Sequence, residues 1–121
     1  MKIKLFTLFL TLFTMINCNM QSSKNVRIVD KETFKKEIAV KNAQIIDVRT
    51  PAEYEEGAIP KAINMDVLQA DFSKKIKTLD ATKPVYIYCR SGARSKKAAQ
   101  ILEQEGFKKI IDLKGGYLNW K

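Results

Sequence analysis

From Val26 onward, short apolar runs alternate with stretches of helical spacing, and this alternation limits the fold more than any other feature of the chain. Val26 to Val29 (V-R-I-V) suits a short strand. Asp30 can cap a following helix in which Phe34 and Ile38 lie four apart on one face. Gln44 to Val48 (Q-I-I-D-V) reads as a strand buried on both sides. Thr50-Pro51-Ala52-Glu53 carries three helix-start signals: Thr as N-cap, Pro at the first helical position and Glu three after the cap. Gly57 ends that short helix. Ala62 to Met65 suits a third strand. Asp66 is expected to open a helix carrying Leu68, Phe72, Ile76 and Leu79 at spacings of four, four and three. Pro84 to Tyr88 (P-V-Y-I-Y) is the strongest strand signal. Ser95 to Glu105 reads as helix with Gly106 as its stop, Lys109 to Leu113 as a last strand, and Gly115-Gly116 as a turn into a short tail, Tyr117 to Lys121. Strand and helix in repeated alternation predict an α/β fold, a parallel sheet covered by helices on both faces. No internal repeat and no interdomain linker interrupts the pattern.

The first residues follow another logic. Lys2 and Lys4 precede an apolar run, Leu5 to Ile16, broken only by threonines. Twelve residues cannot cross a hydrocarbon core of about 30 Å, which takes roughly 20 in a helix. A basic start and a short apolar stretch are the marks of a secretory signal peptide. The run ends at Asn17-Cys18, and an apolar run ending at a cysteine resembles a bacterial lipoprotein signal, in which that cysteine is lipidated and becomes the new N-terminus. A cleaved signal with an incidental cysteine and an uncleaved anchor are the alternatives. The expected organisation is a signal peptide at 1–17, a polar tether at 18–25 and one folded domain at 26–121. An exported protein follows, anchored through Cys18 to a membrane of the bacterial cell envelope.

Composition then removes whole classes of chemistry. The 121 residues include no histidine, which excludes Ser-His-Asp and Cys-His catalysis and every histidine-containing zinc site. Two cysteines, Cys18 and Cys89, are too few for a four-thiolate metal site within one chain, so neither metal nor other cofactor is expected. Loss of the signal removes two of the 22 basic residues and none of the 13 acidic ones, leaving a net charge of +7. The lysines are spread in pairs (Lys35-Lys36, Lys74-Lys75, Lys96-Lys97, Lys108-Lys109) without arginine-aromatic interleaving, so solvated helix faces are expected and no nucleic-acid partner.

The chemistry converges on one loop. Cys89-Arg90-Ser91-Gly92-Ala93-Arg94 lies between strand 84–88 and helix 95–105, at the carboxyl end of a parallel strand, where open α/β sheets bind ligands. Its amides can curl into a concave nest, with Gly92 taking a backbone conformation other residues resist. The following helix turns its positive end toward the same spot, and Arg90 and Arg94 add permanent charge. Such a loop stabilises both an anionic substrate and the thiolate of Cys89, so no histidine base is needed.

Three blocks resemble the single-domain rhodaneses, the thiosulfate:cyanide sulfurtransferase family. They are C-R-S-G-A-R-S after Y-I-Y, then I-I-D-V-R-T-P-A-E-Y-E-E-G-A-I-P-K-A-I-N over residues 45–64, and D-L-K-G-G-Y-L-N-W over residues 112–120. The resemblance spans residues 27–120. It implies a five-stranded parallel sheet flanked by helices, and a Cys89 that accepts a sulfane sulfur and carries it as a persulfide cradled by the loop amides from Arg90 to Arg94. The partners implied are a small anionic sulfur donor and a nucleophilic acceptor, handled by a monomer. With Cys18 lipidated or removed, no second thiol could resolve the persulfide within the chain. Ala58 stands where the family often has His, and Lys61 where it often has Gly. Asp47 and Arg49 are expected to brace a loop, Glu53 to cap a helix and Trp120 to anchor the tail.

Two rivals stay open. Cysteine phosphatases and arsenate reductases also pair a Cys with an Arg across an amide cradle, but with five intervening residues where Cys89 and Arg94 enclose four. The other rival is a rhodanese-like sulfur-carrier or docking module, which would load sulfur without turning over a small molecule.

Overall fold

The computed structural model describes residues 23–121. The signal segment and Cys18 lie outside the described residues. In chain order the elements are β1 (Val26–Val29), α1 (Lys31–Glu37), β2 (Gln44–Asp47), α2 (Pro51–Glu56), β3 (Ile63–Asn64), α3 (Phe72–Lys75, prolonged by a 3-10 turn, Ile76–Thr78), β4 (Val85–Tyr88), α4 (Ala93–Gln104), β5 (Ile110–Leu113) and α5 (Gly116–Trp120). The five strands form one parallel sheet in the order β1-β5-β4-β2-β3. Strands β4 and β5 are buried along their whole length, in keeping with their unbroken apolar character.

Alternate residues of the sheet feed two cores. Ile46, Val48, Ile87, Cys89 and Ile110 pack beneath α4 and α3, against Ala98, Ala99, Leu102, Phe72 and Ile76. Ile45, Tyr86, Tyr88, Ile111 and Leu113 face the other way, toward Phe34 of α1 and the partly buried Tyr117 and Trp120 of α5. Phe34 sits edge-on to both Tyr86 and Trp120, with centroids 5.8 and 6.3 Å apart, so Trp120 anchors the tail.

The helix starts follow their caps. The Asp30 side chain accepts from the Thr33 amide, and Thr50 and Glu53 form a reciprocal capping box at α2. Three local expectations are corrected. No helix opens at Asp66: its carboxylate accepts from the Leu68 amide, and two successive turns, Gln69 N to Asp66 O and Phe72 N to Gln69 O, delay the helix to Phe72. Asp bonding its own backbone two residues on competes with helix here, and Leu68 ends 58% exposed, off the apolar stripe. Helix α4 begins two residues early, at Ala93, which makes Gly92 its N-cap. The tail is itself a helix, α5. Lys61 takes a left-handed φ of 71°, which accounts for the glycine that the resembling family prefers there.

The connections fix where a site can form. After β2 the chain moves outward to β3, whereas after β4 it moves the other way to β5. Adjacent strands whose connections diverge leave a crevice at their carboxyl ends, and here it opens between β2 and β4.

Candidate active site

Cys89 is the first residue beyond β4, 1% exposed, at the floor of that crevice. Its Sγ accepts a hydrogen bond from the Gly92 amide at 3.0 Å. Gly92 reaches this position with φ 121°, a conformation that L side chains rarely adopt, and space for a Cβ is open there. The backbone conformation, and not crowding, is what asks for glycine.

The loop is held from outside by α5. Tyr117 N donates to Cys89 O at 2.8 Å and Leu118 N to Arg90 O at 3.1 Å. Because a trans peptide directs its carbonyl and the next amide to opposite sides, anchoring these two carbonyls turns the Arg90 and Ser91 amides away from α5. The amides of Arg90, Ser91, Ala93 and Arg94 meet no acceptor among the described residues, so they remain available to an anion above Cys89. Helix α4, twelve residues long, directs its N-terminus into the same space.

The remaining loop side chains divide. Arg90 and Ser91 are exposed, and Ala93 stands outward on the first turn of α4. Arg94 does not present a free charge. Its Nη1 and Nη2 donate to the two oxygens of Glu53 at 2.6 and 2.9 Å, so the expected anion clamp is a bidentate ion pair across the crevice. Glu53 thereby both caps α2 and joins the β2 and β4 sides. The Arg94 guanidinium holds the Glu53 carboxyl down at about 2, against an ordinary value of 4.5. A carboxylate with a lowered folded-state value stabilises the fold fully above its unfolded value, and that contribution disappears as pH falls through about 2. Thermal midpoints of the wild type and Glu53→Gln are therefore expected to differ near neutrality and to converge at the acid end of a pH series.

Asp47 and Arg49 form a buried brace. Arg49 Nε donates to both Asp47 oxygens at 3.0 and 3.1 Å, Nη2 to Oδ2 at 2.7 Å, and Nη2 also to the Gly57 carbonyl at 2.6 Å. Burial opposes the guanidinium charge, but its bonds to Asp47 outweigh this and raise the Arg49 value. The Tyr88 hydroxyl donates to Asp47 at 2.6 Å and accepts from Ile59 N at 3.0 Å. Burial, then Asp47, raise the phenol well above its ordinary value.

Two residues at the cysteine carry no role in the sequence reading. Ser95 Oγ, buried on α4, lies 3.5 Å from Cys89 Sγ, 3.0 Å from Gly92 O and 3.0 Å from Asp112 Oδ2. Asp112, 5% exposed on β5, is pushed up to about 7 by burial, partly offset by Ser95, and its Oδ1 is buried without a partner. The available signal was a lone carboxylate in an apolar strand, I-I-D-L, with a hydroxyl one residue after Arg94.

The fold is an open parallel α/β sheet with a buried cysteine at the carboxyl end of β4, beside loop amides that meet no acceptor among the described residues. The chain belongs to the rhodanese-like family: the Rhodanese-like domain model matches residues 30–121. A protein named sulfurtransferase from Allochromatium vinosum is 33% identical over 96 residues, covering 78% of this chain and 88% of the relative. A tRNA uridine(34) hydroxylase from Pelagibacter ubique is 38% identical over 102 residues, covering 82% of this chain but only 34% of that longer protein. Among solved structures, a rhodanese-like domain protein from Staphylococcus aureus superposes with a TM-score of 0.70 at 27% identity, covering 78% of this chain and 91% of the other. The five-stranded parallel α/β fold is thus that of rhodanese-like domains, and sulfur transfer is the general activity to which the named sulfurtransferase relative points.

Proposed function

We propose that the protein is a sulfurtransferase in which Cys89 takes a sulfane sulfur from a small anionic donor such as thiosulfate and passes it to a nucleophilic acceptor. The Cys89 thiolate attacks the outer sulfur of thiosulfate. A bond forms between Cys89 Sγ and that sulfur, the donor's S–S bond breaks, and sulfite leaves with the electron pair. Cys89 now carries a persulfide anion. A nucleophile such as cyanide attacks the terminal sulfur, the new S–S bond breaks, and thiocyanate leaves the thiolate restored. Neither step needs a proton or an external oxidant.

The observation that carries this reading is the buried Sγ under the Gly92 amide, with four further amides that meet no acceptor among the described residues. Fixed dipoles of that kind favour a sulfur anion without reorganisation. Against a phosphatase stands Arg94, whose guanidinium is committed to both Glu53 oxygens and so does not clamp a tetrahedral oxyanion.

The test uses the full chain carrying Cys18→Ser, so that Cys89 is the only thiol. Incubation with thiosulfate should raise the intact mass by one sulfur, cyanide should remove it as thiocyanate, and the cycle should repeat. Adding Cys89→Ser should abolish both loading and turnover. Loading without repeated discharge would instead indicate a carrier that needs a protein acceptor. An unchanged mass in folded protein would remove thiosulfate as donor.

A further inference from the structure

Sulfur transfer as proposed uses Cys89 and the loop amides, and leaves the Asp112 carboxyl unemployed. This group is buried on β5, on the sheet face that also carries Cys89. Asp112 is in register with Ile87 of β4, and Cys89 lies two residues further along, so the two side chains are diagonal neighbours. Ser95 Oγ joins them, 3.0 Å from Asp112 Oδ2 and 3.5 Å from Cys89 Sγ. Oδ1 has no partner although it is buried, an arrangement that favours the neutral acid over a half-solvated carboxylate.

We propose that Asp112 is a positioning residue which, through the Ser95 hydroxyl, decides whether the sulfur of Cys89 is offered a hydrogen bond, so that one negative charge is shared between the two groups. When Asp112 is protonated, its O–H donates to Ser95 Oγ, and the Ser95 hydrogen can leave the Gly92 carbonyl, 3.0 Å away, and turn to the charged sulfur of the Cys89 thiolate or persulfide. When Asp112 is ionised, the Ser95 hydrogen turns to Oδ2, the serine presents only its oxygen to Cys89, and the cysteine keeps its proton as S–H···Oγ. The two arrangements differ by one proton moved from Asp112 to Cys89, with the same total charge.

Little else near Asp112 can take this role. Its register partners are Ile28 on β1 and Ile87 on β4, and the α4 residues of that core, Ala98, Ala99 and Leu102, are apolar. Arg94 is bound to Glu53, while Lys96, Lys97 and Lys114 stand exposed. Burial pushes the Asp112 carboxyl up to about 7, so it changes charge in the neutral range.

The inference rests on the sulfurtransferase reading for its catalytic meaning, but its test uses no sulfur donor and so fails or succeeds separately. In the full chain with Cys18→Ser, the rate of Cys89 alkylation by iodoacetamide is followed across the neutral range. The wild type should rise over a wider pH interval than a single-proton titration, because ionising Asp112 opposes charging Cys89. Asp112→Asn should restore a single-proton curve and alkylate up to about twofold faster near pH 7, because a carboxyl half ionised there withholds the charge from Cys89 about half the time. A variant profile matching the wild type in slope and rate overturns the proposal, since a merely structural Asp112 would leave the shape unmoved. Infrared difference spectra of the wild type decide independently should the variant not fold. Blocking Cys89 with methyl methanethiosulfonate removes its charge, and the carbonyl band of a protonated carboxylic acid should then weaken at pH 7. An unchanged band overturns the coupling.

Discussion

Gly116→Ala is expected to lower sulfur transfer by about a hundredfold in protein that still folds, the cost of misplacing reacting groups by roughly an ångström. A Cβ at this position would lie 2.5 Å from both the Cys89 and the Arg90 carbonyl oxygens, far inside contact distance, and φ is 62°. Those oxygens cannot simply retreat. They accept from Tyr117 N and Leu118 N, so moving them releases the bonds that turn the loop amides inward. Gly106→Ala separates the two effects. Its φ is 94°, but a Cβ there meets open space. That variant should lose about 1–2 kcal/mol of stability, the left-handed penalty, and keep its rate of transfer. Thiocyanate production per folded molecule, compared between the two variants, checks the claim. Equal rates would mean that α5 does not aim the loop.

That dependence on α5 was only partly legible in the sequence. Local signals with a local mechanism were readable: the capping box at Thr50 and Glu53, the apolar run of β4, and Cys89 followed closely by a glycine and two arginines. Each needs only a few neighbouring residues to be specified. What was not readable depends on pairs far apart in the chain. Arg94 is a loop cation by position, but its partner Glu53 is 41 residues away, and only the adjacency of β2 and β4 brings them together. Asp112 lies in a segment whose spacing says only strand, and its bond to Ser95 follows from where α4 crosses β5. Asp66 shows the opposite failure. The spacing of Leu68, Phe72, Ile76 and Leu79 is helical, yet the Asp66 side chain captures the Leu68 amide and the chain turns before it can coil. Periodicity describes which residues could share a face, and backbone capture decides whether they do.

Asp47→Ala is expected to remove about 3–5 kcal/mol of stability, because it strands the Arg49 guanidinium in the interior. Asp47 is fully buried and Arg49 is 3% exposed. The carboxylate is the acceptor for Arg49 Nε, Nη2 and backbone N, and for the Tyr88 hydroxyl. Without it, Arg49 keeps only the Gly57 carbonyl and the faces of two tyrosine rings. A domain stable by about 5–15 kcal/mol would lose a large share of its margin. Asp47→Ala/Arg49→Met should regain much of that loss, since replacing both partners removes the uncompensated charge. Chemical denaturation of the two single variants and the double variant closes the cycle, and strict additivity would show that the pair is not coupled. The brace also reaches the reactive loop. Arg49 stacks 4.3 Å from the centroid of Tyr117, whose amide holds the Cys89 carbonyl. Asp47→Ala should therefore slow transfer in the folded fraction as well, whereas Ile76→Ala, a core truncation costing about 2–5 kcal/mol, lies away from α5 and should cost stability alone. One buried carboxylate at the end of β2 thus ties α2, α5 and the carboxyl end of β4 into the frame on which the Cys89 loop is hung.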